Sequence, residues 1–381
     1  MGEGMTNLLI PGQTIGIIGG GKTARMICLS AKKMGMRIGI IDENPKNLAS
    51  DVADWQIIGA VSDTKKLVEF ANKVDMVLYD DEQIKLSDLL ALSEVTILPQ
   101  GKVLVELSKN RIEERAFLEN CNVNIAPYRV AHVMVDVYDA VEYLGYPCII
   151  KSAKPLVNQP NVVIIEGMED ISKCADMMAH GPCIVESLIP KTKEISVMVA
   201  NNGVDKPVFF PISEKAKIHK SLEGSVGPIH LLEELEQEIY RIAEILTLTL
   251  RVKGVLTIEM FINDMGIIYV NTISGVPTSD GYFTEYACTL SQTDALVRAA
   301  CGWPLSLEAR EEQWLTIEVD KHHYPQLIGQ LPYQKNWQIQ VFGANVSMIK
   351  DSRAGAGFVA IPVEQLSEAY SDAIGSQIWS D

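Results

Sequence analysis

Apolar and polar residues alternate regularly through the first quarter of the chain. Thr14–Ile18 is a short apolar run that predicts a buried strand, and Lys22–Met34 has the spacing of a helix that ends at Gly35. Arg37–Ile41 predicts a second strand. The alternation continues with predicted strands at Val52–Ile58, Asp75–Tyr79 and Thr96–Leu98 and a predicted helix at Thr64–Lys73. This repetition indicates βαβ units and a parallel sheet.

The pattern changes after a predicted helix at Arg111–Asn120, because strands now occur in pairs separated by turn residues. The expected pairs are Cys148–Ser152 with Val162–Glu166, Cys183–Leu188 with Glu194–Asn201, and Val255–Ile262 with Ile267–Thr272. Residues 263–266 separate the last two strands and are a hairpin-turn signal. The middle of the chain is therefore predicted to be α+β.

The last part of the chain, from about Leu305, has a third pattern. Trp337–Phe342, Val346–Ile349 and Gly357–Ile361 predict a small terminal β unit. We therefore expect three domains, over residues 1–109, 110–304 and 305–381. A chain of 381 residues is long for one hydrophobic core, which agrees with this division.

The amino-acid composition disfavours some classes of binding partner and indicates a cellular compartment. The chain has 33 Lys and Arg residues and 49 Asp and Glu residues, and its net charge of -16 disfavours nucleic acid and anionic membranes, which would repel it. Its seven cysteines are scattered, with no C-x-x-C pair and no His at metal-ligand spacing. No apolar stretch resembles a signal peptide or a membrane span. We expect a cytoplasmic protein with reduced cysteines, no nucleic-acid partner and no membrane partner.

The stretch GIIGGGKT, Gly16–Thr23, matches two phosphate-binding patterns that exclude each other. One is the P-loop, G-x-x-x-x-G-K-[ST], and the other, completed by Ala24, is the dinucleotide pattern G-x-G-x-x-A. A P-loop needs a strand before its first glycine, and Pro11 and Gly12 leave too little chain for one. The dinucleotide pattern fits the strand–turn–helix context, and Asp42 ends the second strand where a ribose-binding acid would lie. The glycines could equally serve only a tight turn and close helix packing. The hypothesis of an NAD-dependent dehydrogenase is supported by the glycine turn and Asp42 alone.

Six segments occur in a specific order and spacing. They are TIGIIGGGKTARM (14–26), NRIEERAFL (110–118), YLGYPCIIK (143–151), GPCIVESLIPKTKEISVMV (181–199), GVLTIEMF (254–261) and ACTLSQ (287–292). In this combination the chain resembles the ATP-grasp superfamily and, most closely, the N5-carboxyaminoimidazole ribonucleotide synthetases. The resemblance implies an α/β and α+β fold: a Rossmann-like pre-ATP-grasp domain over 1–109, an ATP-grasp domain of two α+β lobes over 110–304, and a small β-rich domain over 305–381.

The resemblance also implies a function in purine biosynthesis. Members of this family are ligases that make carboxyphosphate from ATP and bicarbonate and transfer the carboxyl group to the 5-amino group of aminoimidazole ribonucleotide. ATP and Mg2+ are the implied cofactors, and a homodimer and the mutase subunit of the same pathway are the implied partners. In the family, ATP lies between the two lobes of the ATP-grasp domain. The N-terminal glycines would therefore line the substrate side.

Individual residues match positions with known roles in the family. The implied nucleotide-binding residues are Arg111, Lys151, Glu186, Leu188 and Glu194. The implied catalytic residues and magnesium ligands are Glu259 and Asn271. The implied substrate-binding residues are Gly20, Gly21, Lys22, Glu82 and Arg353.

Elementary chemistry supports some of these roles and leaves alternatives for others. Lys151 ends an apolar strand, where a buried unpaired cation would be costly without an anion, although it could also extend to solvent. Glu259 lies inside the apolar strand TIEMF, where an acid usually has a partner or a metal. Glu186 could equally be a rim carboxylate, and Glu82 could belong to a solvated acidic loop.

The sequence departs from the family pattern at the positions of its chemistry. The family's glycine loop over the phosphates is replaced by Pro155–Asn161, which has two prolines and no glycine. Thr272 replaces a magnesium-binding Glu, and Val276 replaces an Arg that stabilises the transferring phosphate. Two functions stay open: an impaired aminoimidazole ribonucleotide carboxylase, and a catalytically inactive or repurposed ATP-grasp paralogue with a nucleotide-binding or regulatory role.

Overall fold

The computed structural model describes residues 8–80, 84–154, 161–219, 222–343, 346 and 355–380. The chain forms two compact units. The first contains Met1–Lys102, Ile195–Thr257 and Ser274–Asp381, and the second contains Val103–Glu194 and Ile258–Ile273. Within the described ranges, no helix combines the length and the apolar character needed to cross a membrane.

Strands and helices alternate along most of the described chain. The strands are β1 (Thr14–Ile18), β2 (Arg37–Asp42), β3 (Trp55–Ile58), β4 (Met76–Tyr79), β5 (Tyr128–Ala131), β6 (Cys148–Ser152), β7 (Val162–Ile165), β8 (Cys183–Ser187), β9 (Lys191–Asn201), β10 (Val208–Phe209), β11 (Ser213–His219), β12 (Leu222–Gly227), β13 (Gly254–Asn263), β14 (Ile268–Ser274), β15 (Gln313–Asp320), β16 (Gln338–Val341) and β17 (Gly355–Val363). The helices are α1 (Lys22–Lys33), α2 (Thr64–Ala71), α3 (Leu86–Ser93), α4 (Val103–Ser108), α5 (Arg111–Asn120), α6 (Met134–Leu144), α7 (Ala175–Met178), α8 (Glu233–Leu250), α9 (Thr284–Ala287), α10 (Gln292–Ala300), α11 (Tyr324–Gln330) and α12 (Leu366–Gly375).

The first sheet is parallel and has the strand order β3-β2-β1-β4, as the βαβ pattern predicted. Its central strand β1 buries Ile15 and Ile17 completely against the core. The predicted strand at Thr96–Leu98 is wrong, because Ile97 makes only a single parallel bridge with Met76. Val77 N donates to Ile97 O at 2.9 Å, and this contact does not extend into a strand.

The second unit contains an antiparallel sheet with the order β5-β8-β6-β7. The predicted pairing of β6 with β7 is confirmed, but the predicted pairing of β8 with β9 is wrong. β8 pairs with β5 and β6 instead, because Cys183 and Val185 are completely buried in the same core cluster as Cys148 and Ile150 of β6. The apolar face of β8 therefore belongs to this sheet.

The third sheet has nine strands in the order β14-β13-β9-β11-β12-β15-β17-β16, with β10 paired to β9. The predicted hairpin of β13 and β14 is confirmed. The predicted terminal strands are present as β16 and β17, and β15 joins them to β12 through the register Ser225↔Thr316. Val346 is the one residue of the predicted strand at 346–349 that is described. The domain boundaries after residues 109 and 304 stay predictions.

Candidate functional site

The start of α5 places two arginines beside the end of β6 in the second unit. The Asn110 side chain caps the helix by accepting a hydrogen bond from Ile112 N at 3.2 Å. Arg111 Nη1 donates to Ser152 O at 2.7 Å. Burial lowers the pKa of the Arg111 guanidinium, and Glu114 and Glu186 oppose this effect. Arg115 lies one helical turn further on the same face as Arg111.

Glu186 on β8 connects two cations in the interior of this unit. Its Oε1 accepts a hydrogen bond from Arg115 Nε at 2.6 Å, and its Oε2 accepts one from Lys151 Nζ at 2.6 Å. The Glu186 and Arg115 side chains are 3% and 4% exposed, and the Lys151 side chain is 16% exposed. Lys151 therefore has its anion within the protein and does not simply extend to solvent, and Glu186 is a buried ion-pair partner and not a rim carboxylate.

Opposing effects act on the Glu186 carboxyl group. Burial raises its pKa, but the charges of Arg115 and Lys151 and their hydrogen bonds lower it by more, and the net pKa lies below its ordinary value. Glu186 is therefore ionised at neutral pH. The cluster is a pair of cations around one carboxylate, and one of the three Lys151 donors is engaged with Glu186.

A cleft lies beside this cluster, lined entirely by residues of the second unit. Lys151, Glu186 and Leu188 line it together with Asn271, so the structure brings these four predicted site residues together. Leu188 N donates to Pro147 O at 3.2 Å, so this backbone N–H is already engaged within the protein. Apolar side chains, among them Ile149 and Phe261, complete the cleft.

Glu194 lies at the border of the cleft. Its Oε1 forms an ion pair with Lys191 Nζ at 2.5 Å, and Lys191 Nζ also lies 4.6 Å from the ring centroid of Phe261. Both Lys191 and Phe261 line the cleft. Glu194 Oε1 is therefore paired with Lys191, and the carboxylate retains further lone pairs that could accept a bond from a ribose hydroxyl.

The predicted magnesium ligands occupy neighbouring strands. Glu259 on β13 and Asn271 on β14 are both partly exposed, and Glu259 is flanked by the completely buried Ile258 and Met260. One carboxylate and one amide oxygen fit Mg2+, which commonly takes one or two protein oxygens and fills its other positions with phosphate and water. Thr272 Oγ1 donates to Glu114 Oε1 at 2.7 Å, and a hydroxyl at this position brings no negative charge to the set.

Glu114 is itself a buried anchor that the sequence analysis missed. The side chain of this residue is 6% exposed, and its Oε1 also accepts a hydrogen bond from Ile273 N at 3.1 Å. Arg115 was missed in the same way. Both could have been found from the motif NRIEER, because the helical period places Arg115 on the face of Arg111.

The glycine turn of the first unit is filled by side chains of the protein. Gly21 N donates to Asp80 Oδ2 at 3.0 Å, and Gly19 has a φ of 101° with space for no side chain, since a Cβ would lie 1.8 Å from Asp80 Oδ1. A Cβ on Gly20 would lie 2.3 Å from Cγ of Asn47. β1 runs through Gly16, which confirms that only Gly19–Gly21 form the loop. Packing alone accounts for these glycines.

Lys22 begins α1 and forms an ion pair with Glu318 on β15. Glu318 lines a second cleft within the first unit, together with Lys215, Glu223, Asp280 and Tyr282. The structure therefore places Lys22 at a polar cleft, although a carboxylate already partners it. Glu82, Arg353 and residues 155–160 of the substituted loop lie outside the described residues.

Comparisons with known proteins agree with this architecture. The ribonucleotide synthetase preATP-grasp domain family matches residues 12–106, and the ATP-grasp domain family matches residues 116–293. The N5-carboxyaminoimidazole ribonucleotide synthase of Bacillus subtilis (strain 168) is 29% identical over 298 residues, which cover 78% of this chain and 78% of that protein. The enzyme of the same name from Staphylococcus aureus (strain COL) is 27% identical over 351 residues, 91% of this chain and 92% of that protein.

Solved structures match over nearly the whole length. An N5-carboxyaminoimidazole ribonucleotide synthetase in complex with ADP superposes with a TM-score of 0.92 at 29% identity and covers 98% of this chain and 99% of that one. The Staphylococcus aureus N5-carboxyaminoimidazole synthetase with ADP has a TM-score of 0.89 at 24% identity, covers 98% and 100% of the two chains, and supports the fold alone. The domain matches and the superposition thus show an ATP-grasp fold with an N-terminal pre-ATP-grasp domain.

Proposed function

We propose that this protein binds ATP in the cleft of the second unit and uses it to carboxylate aminoimidazole ribonucleotide with bicarbonate, at a reduced rate. The observation that carries the proposal is the buried cluster of Arg115, Lys151 and Glu186 at the wall of that cleft. The relatives named N5-carboxyaminoimidazole ribonucleotide synthase support the reaction, and the solved relatives in complex with ADP support the nucleotide.

The cluster of Arg115, Lys151 and Glu186 holds the Lys151 ammonium group in position to bind a phosphate. Glu186 holds Lys151 Nζ in one position, so little side-chain entropy is lost when Lys151 binds an anion. Lys151 is mostly buried, so its bond to a phosphate oxygen is weakly screened by water. Arg111, fixed to Ser152 O, lies at the same strand end and would bind a second phosphate oxygen.

Glu259 and Asn271 are the residues proposed to hold Mg2+. Bound there, the ion would neutralise charge that develops on the transferring phosphoryl group. The chain supplies two oxygen donors, and the Thr272 hydroxyl is engaged with Glu114. Phosphoryl transfer would therefore proceed with fewer stabilising charges than in an intact family member.

The Thr272–Glu114 hydrogen bond also favours a second candidate function. A paralogue that binds nucleotide without carboxylating aminoimidazole ribonucleotide would keep the Lys151–Glu186 pair and would not need the lost magnesium carboxylate. Val276, which stands at the position of the family's Arg, is consistent with the same alternative.

Two measurements test the proposal and separate the two candidates. Calorimetric titration of the full chain with ATP and Mg2+ should show binding, and an absence of binding would contradict both candidates. A phosphate-release assay should then show hydrolysis that requires both bicarbonate and aminoimidazole ribonucleotide. Binding with no such dependence would favour the non-carboxylating paralogue.

The partners and compartment are proposed on the family resemblance. We propose a homodimer that works with the mutase of the same pathway in the cytoplasm. Light scattering coupled to size-exclusion chromatography measures the molar mass and therefore tests the homodimer. A monomer at micromolar concentration would contradict it.

A further inference from the structure

Three potential metal ligands converge where β15 ends in the first unit. Asp320, His322 and His323 each offer a ligand atom, and these atoms all lie within 4.8 Å of one another. The cluster contains two imidazoles and one carboxylate. It lies outside the residues proposed above to bind nucleotide, Mg2+ or substrate.

The local backbone explains why these side chains meet. Asp320 is the last residue of β15 and the N-cap of a single 3₁₀ turn, Lys321–His323. A 3₁₀ helix has three residues per turn, so Asp320 and His323 lie on the same side of it. The rings of His322 and His323 have centroids 3.6 Å apart. The DKHH sequence thus brings three potential ligand side chains together within four residues.

The distances suit a bound ion better than a direct hydrogen bond. Asp320 Oδ2 and His322 Nδ1 are 4.0 Å apart, which is beyond the hydrogen-bond range. Zinc bonds of about 2.0–2.2 Å place the donors of a tetrahedral site roughly 3.4 Å apart. The Asp320 and His322 side chains are 33% and 44% exposed, so small side-chain rotations can close this gap and water can take a fourth position.

We propose that Asp320, His322 and His323 form a site for a divalent transition-metal ion of the zinc class. Two imidazole nitrogens and one carboxylate oxygen are the donors that Zn2+ and Co2+ prefer, whereas Mg2+ prefers an octahedral set of oxygens. The site would therefore be independent of the Mg2+ that accompanies ATP. Because the ion would join the end of β15 to the turn before α11, its binding should also stabilise the folded state.

The test uses the full chain after removal of metal with a chelator. Titration with Zn2+ by calorimetry should show one ion bound at this site, and a large excess of Mg2+ should not displace it. Co2+ should give visible absorption bands typical of tetrahedral nitrogen and oxygen ligands, without the near-ultraviolet band of cobalt–thiolate bonds. That band would assign binding to the cysteines and overturn the proposal.

Variants identify the ligands. The His322→Ala/His323→Ala double variant should weaken Zn2+ binding at least about tenfold, the lower limit for disturbing a metal site, and Asp320→Asn should weaken it in the same direction. His230→Ala is the matched control, because His230 lies 3.7 Å from Glu236 and 3.3 Å from Glu311 through opposite ring nitrogens and cannot chelate with both. Circular dichroism checks folding of each variant. Zn2+ affinity that is unchanged in the double variant, or lowered equally by His230→Ala, would overturn the proposal.

Discussion

Replacing Arg115 by methionine should destabilise the second unit far more than removing an exposed arginine. The Arg115 side chain is 4% exposed and donates from Nε to Glu186 Oε1 at 2.6 Å. Methionine keeps much of the unbranched apolar stem but removes the charge and the donor. Glu186 would then remain buried with Lys151 as its one ion-pair partner among the described residues.

The expected cost follows from this geometry. Removing one partner of a buried ion pair costs about 3–5 kcal/mol, because the other charge stays buried and less compensated. Lys151 Nζ remains 2.6 Å from Glu186 Oε2, so we expect the lower end, about 3 kcal/mol. Part of the loss is offset because Arg115 Nη1, which is buried and makes no hydrogen bond to any described residue, is also removed.

The loss should depend on pH. The pKa of Glu186 is below its ordinary value of 4.5, so its ionisation stabilises the folded protein above that pH, and this contribution is lost as pH falls through the lowered pKa. Without Arg115 the pKa rises, and the native state more readily takes up a proton. The difference between wild type and Arg115→Met should therefore be largest near neutral pH and should narrow under acidic conditions.

The assay must report on the second unit. All five tryptophans lie in the first unit, so tryptophan fluorescence would not detect the change. Hydrogen exchange of the backbone amides of β6 and β8, measured by mass spectrometry, gives the local opening free energy. These two strands carry Lys151 and Glu186.

A matched control is Arg241→Met on α8. Arg241 donates to Glu238 from Nε and Nη2 at 2.7 Å each, but its side chain is 52% exposed, so the loss should stay below about 1 kcal/mol. Equal effects of Arg115→Met and Arg241→Met would refute the reasoning.

Three further predictions concern the nucleotide, the catalytic rate and a helix cap. Lys151→Ala should weaken ATP binding by roughly 1–3 kcal/mol in calorimetry, the scale of a charge-assisted bond, and unchanged affinity would restrict Lys151 to supporting Glu186. Bicarbonate-dependent ATP hydrolysis should be at least about a thousandfold slower than in an intact family member, because Thr272 and Val276 replace a magnesium carboxylate and an arginine. Turnover at the ordinary family rate in a phosphate-release assay would contradict this prediction. Asp63→Ala should lower the free energy of unfolding by about 0.5–2 kcal/mol, since Asp63 caps α2 by accepting from two backbone N–H groups, and Asp63→Asn should retain most of the stability in tryptophan-monitored denaturation.

The local elements of this protein were determined by the sequence. β1, α5 and β6 have the predicted bounds because apolar periodicity and a capping side chain act over a few residues and need no distant partner. The hairpin of β13 and β14 follows for the same reason. The resemblance of six motifs also placed Lys151, Glu186, Leu188 and Asn271 in one site, and the structure brings them to one cleft.

Partners that are distant in sequence were decided by the tertiary structure. Apolar periodicity shows that β8 is a strand but not which strands it pairs with. Its place between β5 and β6 depended on the hydrophobic core in which Cys183 and Val185 are buried. The pairing of Glu186 with Arg115 and Lys151, and the carboxylate of Asp80 in the glycine turn, join residues 71, 35 and 59 positions apart. Burial makes such contacts obligatory, because a charge removed from water must find its partner wherever the fold places one.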